Sequence, residues 1–388
     1  ESSLEIRAFY GWFMKKFKRR LTSYNETIKS HNPEDKLYKD TLTKYDSHDC
    51  YSLISLGNIY LLLAREAKNI VKLKGKKASS AEIAKQNNFY TKATQLYQKA
   101  LVVDHFNLFA AQGLAIVFSE LKQSDVALEI FKKIRDSLND VSIFINLGHV
   151  LIDIGQFSRA IECYEIAVNR FGGPGASSVL ADNNKDEILD IFNEDALAKY
   201  KDDLQSLTTN SSYFTLLGRA WYCRGVGEKS LDSLRNSLKF SEKAFLIAYA
   251  QHLKNQNSQV FLLPSLKFNI AFIYFQIAEF VRKTPNNKRT AEEIEKTIEG
   301  LDLAIKILEE LAGNKNPPYP PTELNQRATM GTNTMKPQLA RELESQKTYE
   351  KEYADKIIEG KKIREQEKAK MEAEQLTKAK RAQGSAND

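Results

Sequence analysis

The stretch Val141–Phe171, VSIFINLGHVLIDIGQFSRAIECYEIAVNRF, sets Leu147, Gly148, Gly155, Phe157, Ala160, Tyr164 and Ala167 at the spacing of two helices joined by a tight turn. Small Gly148 and Ala160 let the two helices approach closely, while Leu147, Tyr164 and Ala167 fill the seam between them and the next hairpin. A hairpin of this size cannot bury its apolar face alone, so its neighbours decide the reading.

They repeat it. Leu114, Ala115, Phe118, Ala127, Phe131 and Ile134 give the same pattern one unit earlier, and Ala127 precedes Ala160 by 33 residues, close to the ~34-residue period of tetratricopeptide repeats. Leu56, Gly57 and Tyr60 then read as a first helix whose partner carries Ala93, Tyr97 and Ala100, with a Lys-rich inserted loop over 72–88 between them. Downstream, Leu217, Gly218, Trp221, Gly225, Ser230 and Leu234 fall in frame, and a last unit runs from Ile270, Ala271 and Tyr274 to Ala304, Leu308 and Leu311 with an insertion between its helices. An incomplete unit around Gly11 predicts that the array continues before residue 1. The expected fold is all-α: a solenoid of tetratricopeptide-type helical hairpins whose seam includes Gly57, Ala93, Ala115, Ala127, Gly148, Ala160 and Gly218.

Composition agrees with a folded array. The chain has 388 residues, 42% of them apolar, with nine prolines and 17 glycines, too few of the last two for a disordered or collagen-like chain. No apolar run reaches about 18 residues and the start lacks signal-peptide character, so neither membrane insertion nor secretion is indicated. Cys50, Cys163 and Cys223 lack CxxC spacing and read as isolated thiols in a reducing compartment. The net charge of +7 is modest. Its densest piece, Lys15–Arg20 (KKFKRR), reads as a solvated helix end, with a nuclear-localisation or phosphate-contacting patch as the alternative. Without an RNA-recognition, zinc-finger or basic-zipper pattern, a nucleic-acid contact stays open and unspecific.

Nothing in the sequence points to catalysis. GVGEKS at 225–230 lacks the Gly-Lys-Ser/Thr order of a phosphate loop and falls at a turn between repeat helices. The five histidines have no i+4 partners for a metal, and no cofactor pattern is present. Candidate partner-binding residues lie on first helices. Asn146 and His149 flank Gly148 where such repeats face their groove, with Arg219 and Tyr222 beside Gly218 in a later unit. An Asn there can hydrogen-bond the backbone of an extended ligand.

The expected organisation is repeats over 1–171 with the first incomplete, an acidic insertion or linker over 172–212, further repeats over 213–312, and a Pro-rich linker over 313–335. A long charged helix over 336–383 and a disordered end over 384–388 complete it. Ile188, Ile191, Phe192 and Leu197 stand at helical spacing inside the insertion. Gln338–Gln383 holds 12 basic and 10 acidic residues and no proline. Its Glu352/Lys356 and Glu374/Lys378 pairs are in the favourable i,i+4 order, and Glu344/Lys347 stand at i+3. Apolar residues thin out after Ile363, so the segment predicts a single, partly unsupported helix of about 69 Å rather than a coiled coil.

In unit order and in segments such as LGNIYLLL, YTKATQLYQKAL, INLGHVLIDIGQFSRAIECYEIAVNRF and LKFNIAFIYFQIAEFVRK, the chain resembles the tetratricopeptide scaffold subunit of the polymerase-associated factor complex. The resemblance implies a nuclear, non-enzymatic subunit. By it, the repeats would hold other subunits, including a parafibromin-type one, and the terminal helix would lie along RNA polymerase II during elongation and linked histone modification. A generic peptide-binding, co-chaperone-like module is the alternative.

Overall fold

The computed structural model describes residues 3–17, 33–181, 188–193, 197, 210–254 and 262–384, and the regular structure among them is helical. The chain divides into two compact units, residues 1–171 and 172–388.

The first unit is a stack of hairpins: α1 (Leu4–Phe17) with α2 (Pro33–Lys44), α3 (Cys50–Lys74) with α4 (Ser80–Val103), α5 (Leu108–Glu120) with α6 (Ser124–Ser137), and α7 (Val141–Asp153) with α8 (Phe157–Phe171). Each second helix packs on its partner, and α2, α4 and α6 also pack on the first helix of the next hairpin. Starts are capped locally. Asp49, Ser79, Asn107 and Asp140 each accept a hydrogen bond from a first-turn N–H, satisfying a donor that has no intrahelical partner. The α7–α8 turn needs a left-handed residue, supplied by Gly155 at φ +79°. One repeat earlier that place is taken by Lys122 at φ +64°, a costlier conformation for a residue with a Cβ.

Ala93, Ala115, Ala127 and Ala160 have no exposed surface. Around them close Tyr97, Phe131, Leu147, Leu151 and Val117. The Lys-rich stretch 72–88 is not a loop: α3 continues to Lys74 and α4 begins at Ser80, joined by one 3₁₀ turn, Gly75–Lys77.

The second unit opens with the short α9 (Ala176–Ala181) and contains the hairpins α10 (Ser211–Glu228) with α11 (Leu231–Lys254) and α12 (Leu263–Lys283) with α13 (Ala291–Gly313). No insertion separates α12 from α13; both helices are long and a 3₁₀ turn, Asn286–Lys288, connects them. Of the acidic stretch 172–212, residues 188–193 are irregular with one turn at Ile191 and Phe192 instead of the expected helix, Leu197 is helical, and residues 182–187, 194–196 and 198–209 lie outside the described residues. Ile191 and Leu197 are buried there, and the Phe192 ring lies under Lys306 Nζ at 4.2 Å and Lys267 Nζ at 5.3 Å.

The terminal helix starts earlier than its charge pattern suggests. Pro320 and Pro321 occupy the cap and first turn of α14 (Pro321–Met330), where a missing N–H costs nothing. A π-helical turn, Gly331–Met335, then leads directly into α15 (Lys336–Gly384). A Cβ on Gly331 would meet Ile305 Cγ1 and Phe275 Cζ at 2.9 Å, so this glycine permits close approach to the last hairpin instead of ending a helix. Up to Glu350 the helix is clasped to that hairpin. Arg289, 6% exposed, donates to the Val281 carbonyl at 3.0 Å, to Asn286 Oδ1 at 2.6 Å and to Glu342. Gln346, 1% exposed, donates to the Arg289 carbonyl at 2.8 Å and to Glu350. Lys347 reaches across to Glu295 at 2.9 Å, not along its own helix to Glu344. From Lys351 to Ala373 the side chains are exposed apart from half-buried Gly360. The expected unsupported helix is therefore only the distal part, about 50 Å from Lys351 to Gly384. Residues 18–32 and 385–388, with most of the basic patch and all but the first residue of the expected disordered end, lie outside the described residues; Gly384 itself is the last residue of α15.

Candidate partner-binding site

First-helix glycines are floors for tyrosine rings: a Cβ on Gly148 would lie 2.5 Å from Tyr164 Cε1 and one on Gly11 2.4 Å from the Tyr38 hydroxyl. In the last hairpin the roles are exchanged, and a Cβ on Gly300 of the second helix α13 would lie 2.5 Å from Tyr274 of the first helix α12. Tyr97 uses two such floors, Gly57 of α3 and Gly113 of α5, at 2.7 and 2.4 Å. Its ring therefore joins one hairpin to the next. Gly218 differs: it faces Ser241, and Ser237 donates to its carbonyl at 2.7 Å.

The buried phenols need acceptors or polar partners, and those partners are set beside the seam. Tyr97 donates to Asn58 Oδ1 at 2.8 Å, the Tyr164 hydroxyl lies 2.9 Å from His149 Nδ1, and Tyr274 donates to Glu242 Oε1 at 3.2 Å. Asn58 and His149 each follow the floor glycine directly. His149 is thus engaged with Tyr164, edge-on at 5.8 Å between ring centroids. Burial pushes the Glu242 carboxyl up to about 8, only partly offset by the Tyr274 bond. The residue as a whole is half-buried while its carboxyl is withdrawn from water.

Asn146 is half-buried on α7 near His149; Arg219 is exposed on α10, and Tyr222 is half-buried there with its ring edge-on to Phe272 at 5.4 Å. The first pair belongs to the first unit and the second pair to the second. An opening of the first unit involves none of them. A cleft of about 330 Å³ lies among α1, α2, α3 and α5, walled by Trp12, Tyr38 and Tyr51 and carrying Lys15, Asn58 and Arg65 at its polar edge. Tyr51, Ser55, Asn58, Leu62 and Arg65 recur every three or four residues, one face of α3. That recurrence was visible in the sequence, but the partner wall on α1 was not. Arg65 and Lys68 meet at Glu120; burial raises that carboxyl, but the bond from Lys68 and the charge of Arg65 outweigh it and hold it below the usual range. In the second unit a smaller cavity, about 150 Å³, lies under the π turn between Phe268, Phe272, Met330 and Met335, with Glu279 and Arg327 at its edge. Aromatic walls with a few charged groups suit side chains of a bound polypeptide. Among the described residues no cluster of three or more His, Cys, Asp or Glu is placed to hold a metal, and no helix is long and apolar enough to cross a membrane.

No protein-family model matches the chain. Against curated proteins it is 38% identical over 371 residues to the RNA polymerase-associated protein CTR9 of Saccharomyces cerevisiae, an alignment covering 95% of this chain. The chain is similar to CTR9 along almost its whole length. It spans 30% of that CTR9, and likewise 29% of Tetratricopeptide repeat protein 1 of Schizosaccharomyces pombe, to which it is 33% identical over 95% of its own length. CTR9 of Caenorhabditis elegans is 23% identical over 73% of the chain. Among solved structures, YrrB, a tetratricopeptide protein, is 15% identical, with a TM-score of 0.34 over 70% of this chain and 91% of its own.

Proposed function

We propose that the chain is a non-catalytic scaffold of the polymerase-associated factor complex, acting in the nucleus during RNA polymerase II elongation and the histone modification linked to it. In this reading the repeats hold other subunits, including a parafibromin-type one, and the distal helix reaches the polymerase. The alignment of 95% of the chain with CTR9, a protein named for its association with RNA polymerase, carries the reading. The architecture suits it: the aromatic cleft at α1–α5 offers a polypeptide a preformed seat, and Asn146, His149, Arg219 and Tyr222 stand as further candidate contacts. The helix past Glu350 exposes Tyr353, Ile357, Ile363 and Met371 without a partner surface of its own in the unit that holds it.

The test is co-expression with the other subunits of the complex, with the helix cut after Glu350 so that the Arg289 clasp is kept. Pull-down and cross-linking should show the subunits retained by both versions and polymerase contact only by the longer. Retention of nothing by either version would replace this reading with a general peptide-binding module.

A further inference from the structure

Helices α3 and α4 outgrow their stack. They span 25 and 24 residues, against 13 to 15 for α5 to α8. Glu120, the last residue of α5, binds Arg65 and Lys68 and marks the level at which the stack ends. Past Lys68, α3 runs on to Lys74, about 9 Å further. The tip is a built element. Gly75, at φ +52°, donates to the Lys72 and Val71 carbonyls, and Ser79 with Glu82 forms a capping box at the start of α4.

Its surface is basic and apolar together. Residues 69–87 hold Lys72, Lys74, Lys76, Lys77 and Lys85 against one acid, Glu82. Ile70, Leu73 and Ile83 are 46%, 88% and 44% exposed. At a projecting tip these three cannot be core residues, and Leu73 stands between Lys72 and Lys74 with almost all of its side chain in water.

We propose that this tip docks an acidic protein segment that carries large apolar side chains. The lysines neutralise its carboxylates, while Ile70, Leu73 and Ile83 take up its apolar groups. Nucleic acid is the poorer match: residues 69–87 contain no arginine and no aromatic residue, so the tip lacks both the bidentate fork that reads base edges and the rings on which bases stack. The second unit already holds one contact of the proposed kind, with Phe192 of the acidic stretch gripped between Lys306 and Lys267. This interaction lies beyond the scaffold function proposed above.

The experiment titrates the full chain with a labelled acidic peptide bearing leucine and phenylalanine, with the same peptide carrying serine at every apolar position, and with duplex DNA and single-stranded RNA. The apolar acidic peptide should bind tightest, with a salt-dependent affinity. The combined Lys72→Glu, Lys77→Glu and Lys85→Glu variant should bind it roughly tenfold or more weakly, and Leu73→Ser should weaken it severalfold. All these positions are exposed, so the thermal midpoint of the variants should be unchanged. Equal binding of the serine peptide, tighter binding of nucleic acid, a silent Leu73→Ser, or no peptide binding would each overturn the proposal.

Discussion

Tyr164 lies so close over Gly148 that a Cβ on the glycine would come within 2.5 Å of its ring. The same relation recurs at Gly57 and Gly113 with Tyr97 and at Gly300 with Tyr274. The repeat frame is thus written as a pairing of absent side chain with large side chain, held in register by the hydroxyl bond beside it.

Gly148→Leu should lower the stability of the first unit by about 1–3 kcal/mol, because overpacking forces the Tyr164 ring off its partner. Thermal or urea unfolding measures it. An unchanged midpoint would remove the close approach from the account of the seam.

Gly360→Ala is the opposite case. Nothing lies within 4 Å of a Cβ there, and alanine in a helix interior is favoured over glycine by about 1 kcal/mol. The variant should show higher helicity and slower amide exchange around residue 360, with the unfolding of the repeats unaltered.

Glu242 gives the second unit a pH-dependent stability. Its folded carboxyl sits at about 8, above an unfolded value near ~4.3, so the folded state keeps a proton that the unfolded state releases between those values. The contribution is fully present below the unfolded value and is lost as pH rises towards the folded one. Glu242→Gln should flatten that fall and stabilise the unit at neutral pH relative to the parent. Denaturant midpoints from pH 5 to pH 8 test the sign, and parallel pH profiles for parent and variant would contradict it.

Arg289→Ala should release the proximal helix. It removes the bonds to Glu342, Asn286 and the Val281 carbonyl in one step; hydrogen bonds to a charged group contribute about 1.5–3 kcal/mol, and the carboxylate left behind at Glu342 is solvated. Limited proteolysis should then cut between Lys336 and Glu350, a stretch resistant in the parent chain.

Much of the fold is legible because packing forces a period on the sequence: Ala93, Ala127 and Ala160 are spaced by the hairpin itself, and all are fully buried. The signal fails where nothing packs. The tip of α3 and α4 has no buried stripe, so its lysines, alanines and serines look like loop although each is capped into helix. Pro320 and Pro321 read as breakers, yet proline at a helix start is preorganised for it, and only the three-dimensional fit of Gly331 against Ile305 and Phe275 shows that chain direction is kept. Within the candidate site, Asn58 and Arg65 were readable as one helix face. Trp12 and Lys15 were not, since they reach the same cleft from a different helix. His149 was visible as a polar residue beside the seam; that Tyr164 is its partner depends on how α8 lies over α7.

The clasp around Arg289 turns the last hairpin into the bearing of a long pointer. With about 50 Å of helix beyond it, a tilt of about one degree at the bearing displaces the far end by about 1 Å. A large assembly gripping that end would be aimed by side chains it never meets: Arg289, Gln346 and Glu350 would set the angle at which it is held.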